Sequence, residues 1–311
     1  MQHAHLRFKA MASPCEIIAA GECDGPELDR LISLAVAEVH RIEHTWSRYR
    51  PESVVSRINA AAGTGTPTEV DTETAQLLDF AGQLHALSDG LFDVTSGVLR
   101  RAWNFQSGVL PKQADIDALL PLVGWHQVNW APWTPGCGPR SISLPRAGMQ
   151  LDFGGFGKEY AADRAAGVLM QAGIVHGLVN LGGDMRVMGP RPDGSAWHMG
   201  IQHPRDAQGV IANLAVKQGA LATSGDYERH MVIQGKRYAH VLDPRTGWPV
   251  SHWQSVSVMA PLCVAAGAMA TIALLKEADG LAFLQNQAVP HLLVGPTGLI
   301  TAHDATQGIA T

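Results

Sequence analysis

Three stretches of this 311-residue chain combine residue types that could do chemistry. The first is Leu151-Asp152-Phe153-Gly154-Gly155-Phe156-Gly157-Lys158-Glu159-Tyr160-Ala161-Ala162-Asp163-Arg164, a strand entering a glycine loop that opens a helix. A helix N-terminus offers unpaired N–H groups and the positive end of the helix dipole, which suits phosphate, and Lys158 adds a full charge. The run is not a dinucleotide fingerprint, because G-x-G-x-x-G is absent, and a tight strand-to-helix turn would use the same residues. The second stretch is Tyr238-Ala239-His240-Val241-Leu242-Asp243-Pro244-Arg245-Thr246-Gly247. Asp-Pro-Arg-Thr-Gly is turn chemistry, with Asp capping, Pro setting φ and Gly closing. His240 sits at the strand end before that turn, where an imidazole could act as a general base near neutral pH. The chain has fourteen histidines, so a surface or packing role stands beside that one. The third stretch is Ala265-Ala266-Gly267-Ala268-Met269-Ala270-Thr271, small residues opening a buried helix. Packing explains most of it, and Thr271 is the one polar group able to meet a metal or phosphate. Two further segments fit ligand contact or plain structure equally: the glycine pair of Leu181-Gly182-Gly183-Asp184, read as a bulge within a strand, and the polar turn Thr223-Ser224-Gly225-Asp226-Tyr227.

The elements that must position these groups follow from periodicity. Leu28, Leu31, Ile32, Ala35, Val39 and Ile42 form an i, i+3/i+4 stripe, so a helix runs from Pro26-Glu27 with Asp24 as its N-cap. A second helix covers 73–88 and stops at Asp89-Gly90. Residues 105–148 are rich in Pro, Gly and Trp and read as irregular connections. A short strand is expected at 149–153, and a helix at 159–170 ended by Gly173. Beyond Val175 the pattern is mostly strands, at 178–188, 197–202, 212–216 and 254–260. Segments 229–233 and 236–242 flank the hairpin signal Gln234-Gly235, and 291–294 and 299–302 flank the turn Gly295 to Gly298. Strands joined by hairpins imply antiparallel sheets, and the expected class is α+β rather than doubly wound α/β. No linker is evident, so the chain reads as one domain, 1–311, with a helical N-terminal part.

Composition narrows the function. The chain carries 23 Lys+Arg against 28 Asp+Glu, a net charge of −5, so it lacks the basic excess of a non-specific nucleic-acid binder. Hydrophobic residues make up 46% and charged residues 16%, which excludes disorder as the main state. The 33 glycines and 18 prolines exceed the usual share and suggest tight turns and close backbone approaches. The N-terminal residues form no secretory signal and no run of about 20 apolar residues is present, so no membrane span is expected and a cytoplasmic location is. Cys15, Cys23, Cys137 and Cys263 show no C-x-x-C spacing, fit a reducing compartment, and read as packing or surface residues.

Taken together, the segments resemble the FAD:protein FMN transferase family, the ApbE-type flavin transferases. Met11-Ala12-Ser13-Pro14-Cys15 is similar to the family's M-G-T-P-C start. Ser47-Arg48-Tyr49-Arg50-Pro51-Glu52-Ser53 and Ser56-Arg57-Ile58-Asn59 resemble F-S-x-Y-x-x-x-S followed by I-N. Ser88-Asp89-Gly90-Leu91-Phe92-Asp93-Val94-Thr95 resembles S-x-G-x-F-D-x-T, residues 151–164 resemble L-D-x-G-x-x-x-K-G-Y-A-x-D, and Asn180 to Asp184 repeats N-L-G-G-D. Ser224 to Arg229 and the turn from His240 to Gly247 complete the order. The resemblance implies an α+β fold similar to a duplicated tunnelling-fold unit. It implies an enzyme that binds FAD and moves its FMN half onto a Thr or Ser hydroxyl of an acceptor protein, releasing AMP with magnesium assistance. It places Met11, Tyr49, Leu91, Phe92, Asp93, Asp152, Lys158 and Leu242 at the FAD site, His240 as the base, and Gly155 (through its carbonyl) and Thr271 at the magnesium site. Oligomeric state is not implied.

The chain departs from this pattern twice. Where the family's A-D-A-x-x-T holds magnesium through its Asp, this chain has Gly267, and Glu159 stands where the family commonly has Gly. Two other readings therefore sit beside the transferase: an FAD-binding protein that has lost transfer because Gly267 replaces the metal-binding Asp, and an enzyme hydrolysing FAD to FMN and AMP.

Overall fold

The computed structural model describes residues 1–131, 138–303 and the backbone of 309–310. The chain forms two compact units, each assembled from separated segments. The larger comprises residues 1–43, 155–227 and 252–311, and the smaller comprises 44–154 and 228–251. Because the chain enters and leaves each unit more than once, no single linker marks a boundary.

The larger unit is built on an eight-stranded sheet. Its strands are β1 (Gln2–Ala10), β2 (Ser13–Gly21), β5 (His176–Leu181), β6 (Asp184–Gly189), β9 (Gly219–Gly225), β12 (Ser255–Ala260), β13 (His291–Val294) and β14 (Ile300–His303), hydrogen-bonded in that order. Every neighbouring pair in it is antiparallel, as the hairpin signals require. A second sheet contains β7 (Trp197–His203), β8 (Asp206–Val216) and the short β15 (Ile309–Ala310). Strand β7 alternates cleanly: Trp197, Met199 and Ile201 are buried, whereas His198, Gly200 and Gln202 are exposed. Those three side chains pack with Leu214 and Val216 of β8 against Leu178, Val187, Leu221 and Leu292 of the large sheet. Helices α5 (Gly157–Gln171) and α6 (Cys263–Leu275) cover β5, β6, β9 and β12. Helix α6 is apolar nearly all round, which fits its burial.

Helix α1 (Gly25–Trp46) begins in this unit and buries the expected stripe of Leu28, Leu31, Ile32, Ala35, Val39 and Ile42. Asp24 caps it, its Oδ1 accepting the Glu27 N–H at 2.8 Å. Helix α7 (Gly280–Asn286) follows α6.

The smaller unit contains α2 (Val54–Ala60), α3 (Thr72–Leu87), α4 (Gln113–Leu119), a two-stranded ribbon of β3 (Thr68–Val70) with β4 (Arg140–Ile142), and the hairpin of β10 (His230–Ile233) with β11 (Lys236–Ala239). Asp71 caps α3, and Asp89 and Gly90 leave it in left-handed backbone, with φ of 57° and 84°. Its core gathers Val98, Leu99, Trp103 and Ile116 with Met231 and Leu242.

The structure differs from the sequence expectation at four places. Residues 149–153 pair with no strand; instead Leu151 N–H donates to Asn59 Oδ1 at 2.6 Å and Asp152 N–H to the Val94 carbonyl at 2.8 Å. Side-chain and isolated backbone bonds thus replace a ladder. The span 178–188 is two strands, because Gly182 and Gly183 adopt φ of 65° and 96° and form the two-residue turn of the β5–β6 hairpin. Thr223 to Gly225 lie within β9 rather than in a turn, with Val256 and Ser257 of β12 opposite Ser224 and Thr223. The irregular 105–148 stretch holds helix α4 and strand β4. Cys15, Cys23 and Cys263 are free thiols, the first and last buried, and Cys137 lies outside the described residues.

Candidate active site

The glycine loop delivers Lys158 and Glu159 in the first turn of α5, whose N-cap residue Phe156 provides no side-chain cap. The first-turn N–H groups therefore have no capping oxygen from that side chain, as an anion site requires. Lys158 Nζ lies 2.7 Å from Asp184 Oδ2, at the start of β6. The hairpin turn brings this about: Gly182-Gly183 reverses the chain and presents Asp184 beside α5. A Cβ at Gly182 would lie 2.8 Å from Ser13 Cβ and 3.7 Å from Lys158 Nζ, so its lack of a side chain keeps room for both neighbours. Burial raises the Asp184 carboxyl above the usual range, against the pull of Lys158.

Glu159 is the most unusual group of this unit. Its side chain is buried, and Oε2 has no hydrogen-bond partner among the described residues. Burial, reinforced by the negative charge of Asp184, pushes its carboxyl up to about 8. Its position in the first turn of α5 favours the anion through the helix dipole, but desolvation outweighs that. The carboxylate lies against α6 at Gly267: a Cβ built there would fall 2.6 Å from Glu159 Cγ and 2.7 Å from its Oε1. Gly267 thus leaves open the space that this side chain takes, and any side chain at 267 would force Glu159 to shift.

Helix α6 is anchored by the next turn of α5. Asp163 accepts the Cys263 and Val264 N–H groups, both at 2.9 Å, and so caps a helix whose own N-cap, Leu262, has no capping side chain. Arg186 Nε stands 3.1 Å from Asp163. One turn beyond Gly267, Thr271 Oγ1 shares a 2.7 Å hydrogen bond with Ser224 Oγ of β9. Met11 occupies the β1–β2 turn with φ of 51°, its N–H donating to Glu43 Oε1 at 3.0 Å.

Gly155 begins the second segment of the larger unit, and the remaining expected residues fall in the smaller unit. Asp152 accepts the Gly154 N–H at 2.8 Å and pairs with Arg48 Nη1 at 3.0 Å, which also donates to the Gly97 carbonyl. Tyr49 is 76% exposed, available to a ligand and fixed by no core. Leu91, Phe92 and Asp93 are buried, and Asp93 is fully engaged: Oδ1 accepts from Thr95 N–H and Oγ1, and Oδ2 from Trp125 N–H at 2.8 Å. Leu242 bridges to Pro249 across the Asp243–Gly247 turn, and half-buried His240 lies between this bridge and β11. The turn is fastened by Trp103 Nε1 donating to the Gly247 carbonyl at 2.8 Å, and Trp248 packs edge-on to Trp103.

Residues 11–293 match the sequence profile of the ApbE family. The chain belongs to the ApbE family. A relative from Klebsiella pneumoniae (strain 342), named FAD:protein FMN transferase, is 34% identical over 236 residues, 75% of this chain and 71% of that one. Another of the same name from Vibrio cholerae is 29% identical over 278 residues, 87% of this chain and 79% of its own. Among solved structures, the ApbE protein of Thermotoga maritima MSB8 is similar with a TM-score of 0.87 and 30% identity, covering 97% of both chains. The Vibrio cholerae flavin transferase ApbE gives a TM-score of 0.84 at 25% identity, with 98% of both chains covered. The fold is thus that of ApbE proteins, α+β with antiparallel sheets, and the chain is a member of a transferase family.

Four participants were not singled out as site residues by the sequence: Asp184 as the partner of Lys158, Ser224 as the partner of Thr271, Asp163 as the cap of α6, and Glu159 against Gly267. The last left a signal, since Glu159 and Gly267 both stand where the resembled motifs have a different residue of opposite size.

Proposed function

We propose that this chain is an FAD:protein FMN transferase that moves FMN from FAD onto a Thr or Ser hydroxyl of an acceptor protein. The observation that carries the reading is the match to relatives of that name over three quarters or more of the chain. In the step, the acceptor oxygen bonds to the flavin-side phosphorus, the bridging P–O bond breaks, and AMP leaves with that bridging oxygen. His240 takes the hydroxyl proton; an alcohol is a poor nucleophile until a positioned base does so. A neutral imidazole beside a firmly held turn is suited to this near pH 7. Met11, Tyr49, Leu91, Phe92, Asp93, Asp152 and Leu242 contribute to binding FAD, and Lys158 with the first turn of α5 meets the pyrophosphate charge.

The larger unit fits a magnesium ion. The orphaned buried oxygen of Glu159 and the Thr271–Ser224 hydroxyl pair are hard oxygen donors of the kind that ion prefers. Magnesium bound by an enzyme commonly shares its ligands with substrate phosphates rather than sitting in an all-protein cage. The Gly155 carbonyl and Thr271 would help to hold it, and bound there it would neutralise charge developing on the pyrophosphate. Among the described residues no helix is long and apolar enough to cross a membrane.

The test is incubation with FAD, Mg2+ and a Thr-bearing acceptor protein, followed by in-gel flavin fluorescence and AMP quantification. One AMP per covalently bound flavin is expected, with both lost in His240→Ala. Bound FAD without AMP release would support the binding-only reading, and AMP release without an acceptor would support hydrolysis.

A further inference from the structure

Glu159 lies deep in the larger unit, with an oxygen that no described donor reaches. Native proteins rarely leave a buried carboxylate oxygen unpaired, because its desolvation is then uncompensated. Two of the charges nearest in effect, Asp184 and Asp163, are themselves negative, and Lys158 is already committed to Asp184 at 2.7 Å. A carboxylate held ionised at this place, among negative neighbours, requires a cation to compensate it.

The neighbouring helix shows which cation. A Cβ at position 267 would fall within 2.6–2.9 Å of Glu159 Cγ, Oε1 and Cδ, so the carboxylate of 159 fills the space in which a side chain at 267 would begin. Thr271 lies four residues further along α6, hence on the same face one turn on, and its hydroxyl is paired with Ser224. Carboxylate and hydroxyl oxygens form a set for a hard divalent ion, and burial raises the neighbouring Cys263 thiol, one turn before Gly267, away from the thiolate a softer ion would take.

We infer that Glu159 is the carboxylate ligand of this site's divalent cation, reaching from α5 into the space that Gly267 leaves on α6, so that positions 159 and 267 are a single exchange. The inference rests on the flavin-transfer reading for the identity of the ion as magnesium. It adds the residue that supplies the anionic ligand and removes the reason for treating Gly267 as a loss.

The experiment is titration of the full chain with Mn2+, with free ion followed by electron paramagnetic resonance, with and without FAD, and melting temperature measured in EDTA and in Mg2+. The wild type is expected to bind one Mn2+. Glu159→Gln, which keeps the shape and removes the charge, should bind it at least about tenfold more weakly, since even outer-shell substitutions cost 10–100-fold. It should melt in EDTA no lower than the wild type but lose the rise given by Mg2+. Gly267→Asp alone should be crowded by Glu159 and melt lower, and Glu159→Gly/Gly267→Asp should regain both stability and Mn2+ affinity. Equal Mn2+ affinity in wild type and Glu159→Gln, or no binding by the wild type with FAD present, overturns the assignment. The two readings separate cleanly. Glu159-dependent Mn2+ binding in a chain that transfers no flavin refutes transfer alone, whereas metal-dependent transfer with unaltered Mn2+ affinity in Glu159→Gln refutes this assignment alone.

Discussion

The cap that Asp163 places on α6 is open to direct measurement by Asp163→Ala. Its two oxygens take the Cys263 and Val264 N–H groups, each at 2.9 Å, and Arg186 Nε stands 3.1 Å away. Removing a side-chain cap costs about 0.5–2 kcal/mol, with the upper end appropriate where two N–H groups lose a charged acceptor. Removing one member of a buried ion pair costs about 3–5 kcal/mol when the survivor is left uncompensated. Arg186 is 10% exposed but keeps bonds from Nη1 to the Val187 and Gly219 carbonyls, so only part of that second penalty applies. The sum is about 3–5 kcal/mol. At about 2–4 °C per kcal/mol for a unit of this size, the melting temperature should fall by roughly 6–20 °C. The assay is a thermal scan followed by intrinsic Trp fluorescence. Asp163→Asn keeps one acceptor and loses the charge, so it should recover less than half of the deficit. The double variant Asp163→Ala/Arg186→Ala should lose less than the sum of the singles, by about 1 kcal/mol or more, because the groups are in contact. A melting temperature for Asp163→Ala within 2 °C of wild type would refute the reasoning and leave Asp163 without a structural reason for its place in the motif.

Two further perturbations probe each unit separately. In the smaller, Arg140 donates to both oxygens of Asp79, at 2.5 and 2.7 Å, while stacking 3.8 Å from the Trp130 ring, and this holds the Asp79 carboxyl below its ordinary range. The unfolded chain then takes up the proton first, so the contribution is complete above the unfolded value of about 3.9 and fades as pH falls through the lower folded one. The melting difference between wild type and Asp79→Asn should be constant from pH 7 to 5 and shrink towards pH 3, and an unchanged gap at pH 3 would contradict it. In the larger unit, Ala12 holds φ of 59° in the β1–β2 turn, a left-handed conformation that costs an L-residue roughly 1–2 kcal/mol. Ala12→Gly should raise the melting temperature by about 2–4 °C, and a fall would show that the Ala12 methyl makes a compensating contact.

Much of the fold was legible because its signals are local. The α1 stripe and its Asp24 cap, the Asp89-Gly90 stop, and the Gln234-Gly235 hairpin each follow from a few adjacent residues, and each recurs in the structure. The misses are of two kinds. Gly182-Gly183 is itself a two-residue hairpin signal, passed over when the flanking runs are read as one strand with a bulge, and the left-handed φ of both glycines shows the turn. Residues 149–153 have strand composition, but the groups that satisfy their N–H donors are Asn59 and Val94, far away in sequence. The two compact units are likewise assembled from separated segments, 1–43, 155–227 and 252–311 in one and 44–154 and 228–251 in the other, so no local signal divides them.

The residue types and order of the candidate site can be read along the chain, but not its pairings. Lys158 is recognisable from the glycine loop, yet its partner Asp184 is set by a turn 26 residues downstream. Position 267 shows the limit most sharply. Read along the chain, Gly267 is a missing carboxylate and Glu159 is an added charge at a position that usually has no side chain, and each looks harmful alone. A buried acid in the first turn of α5 should cost stability, and a glycine inside α6 should cost about 1 kcal/mol relative to alanine. Packing links the two: the added side chain extends into the space that a side chain at 267 would otherwise occupy. Such coupling needs distances across 108 residues of sequence, which no local pattern supplies. It follows that the two substitutions should be strongly non-additive in any stability or metal-affinity measurement, whichever of them is reverted first.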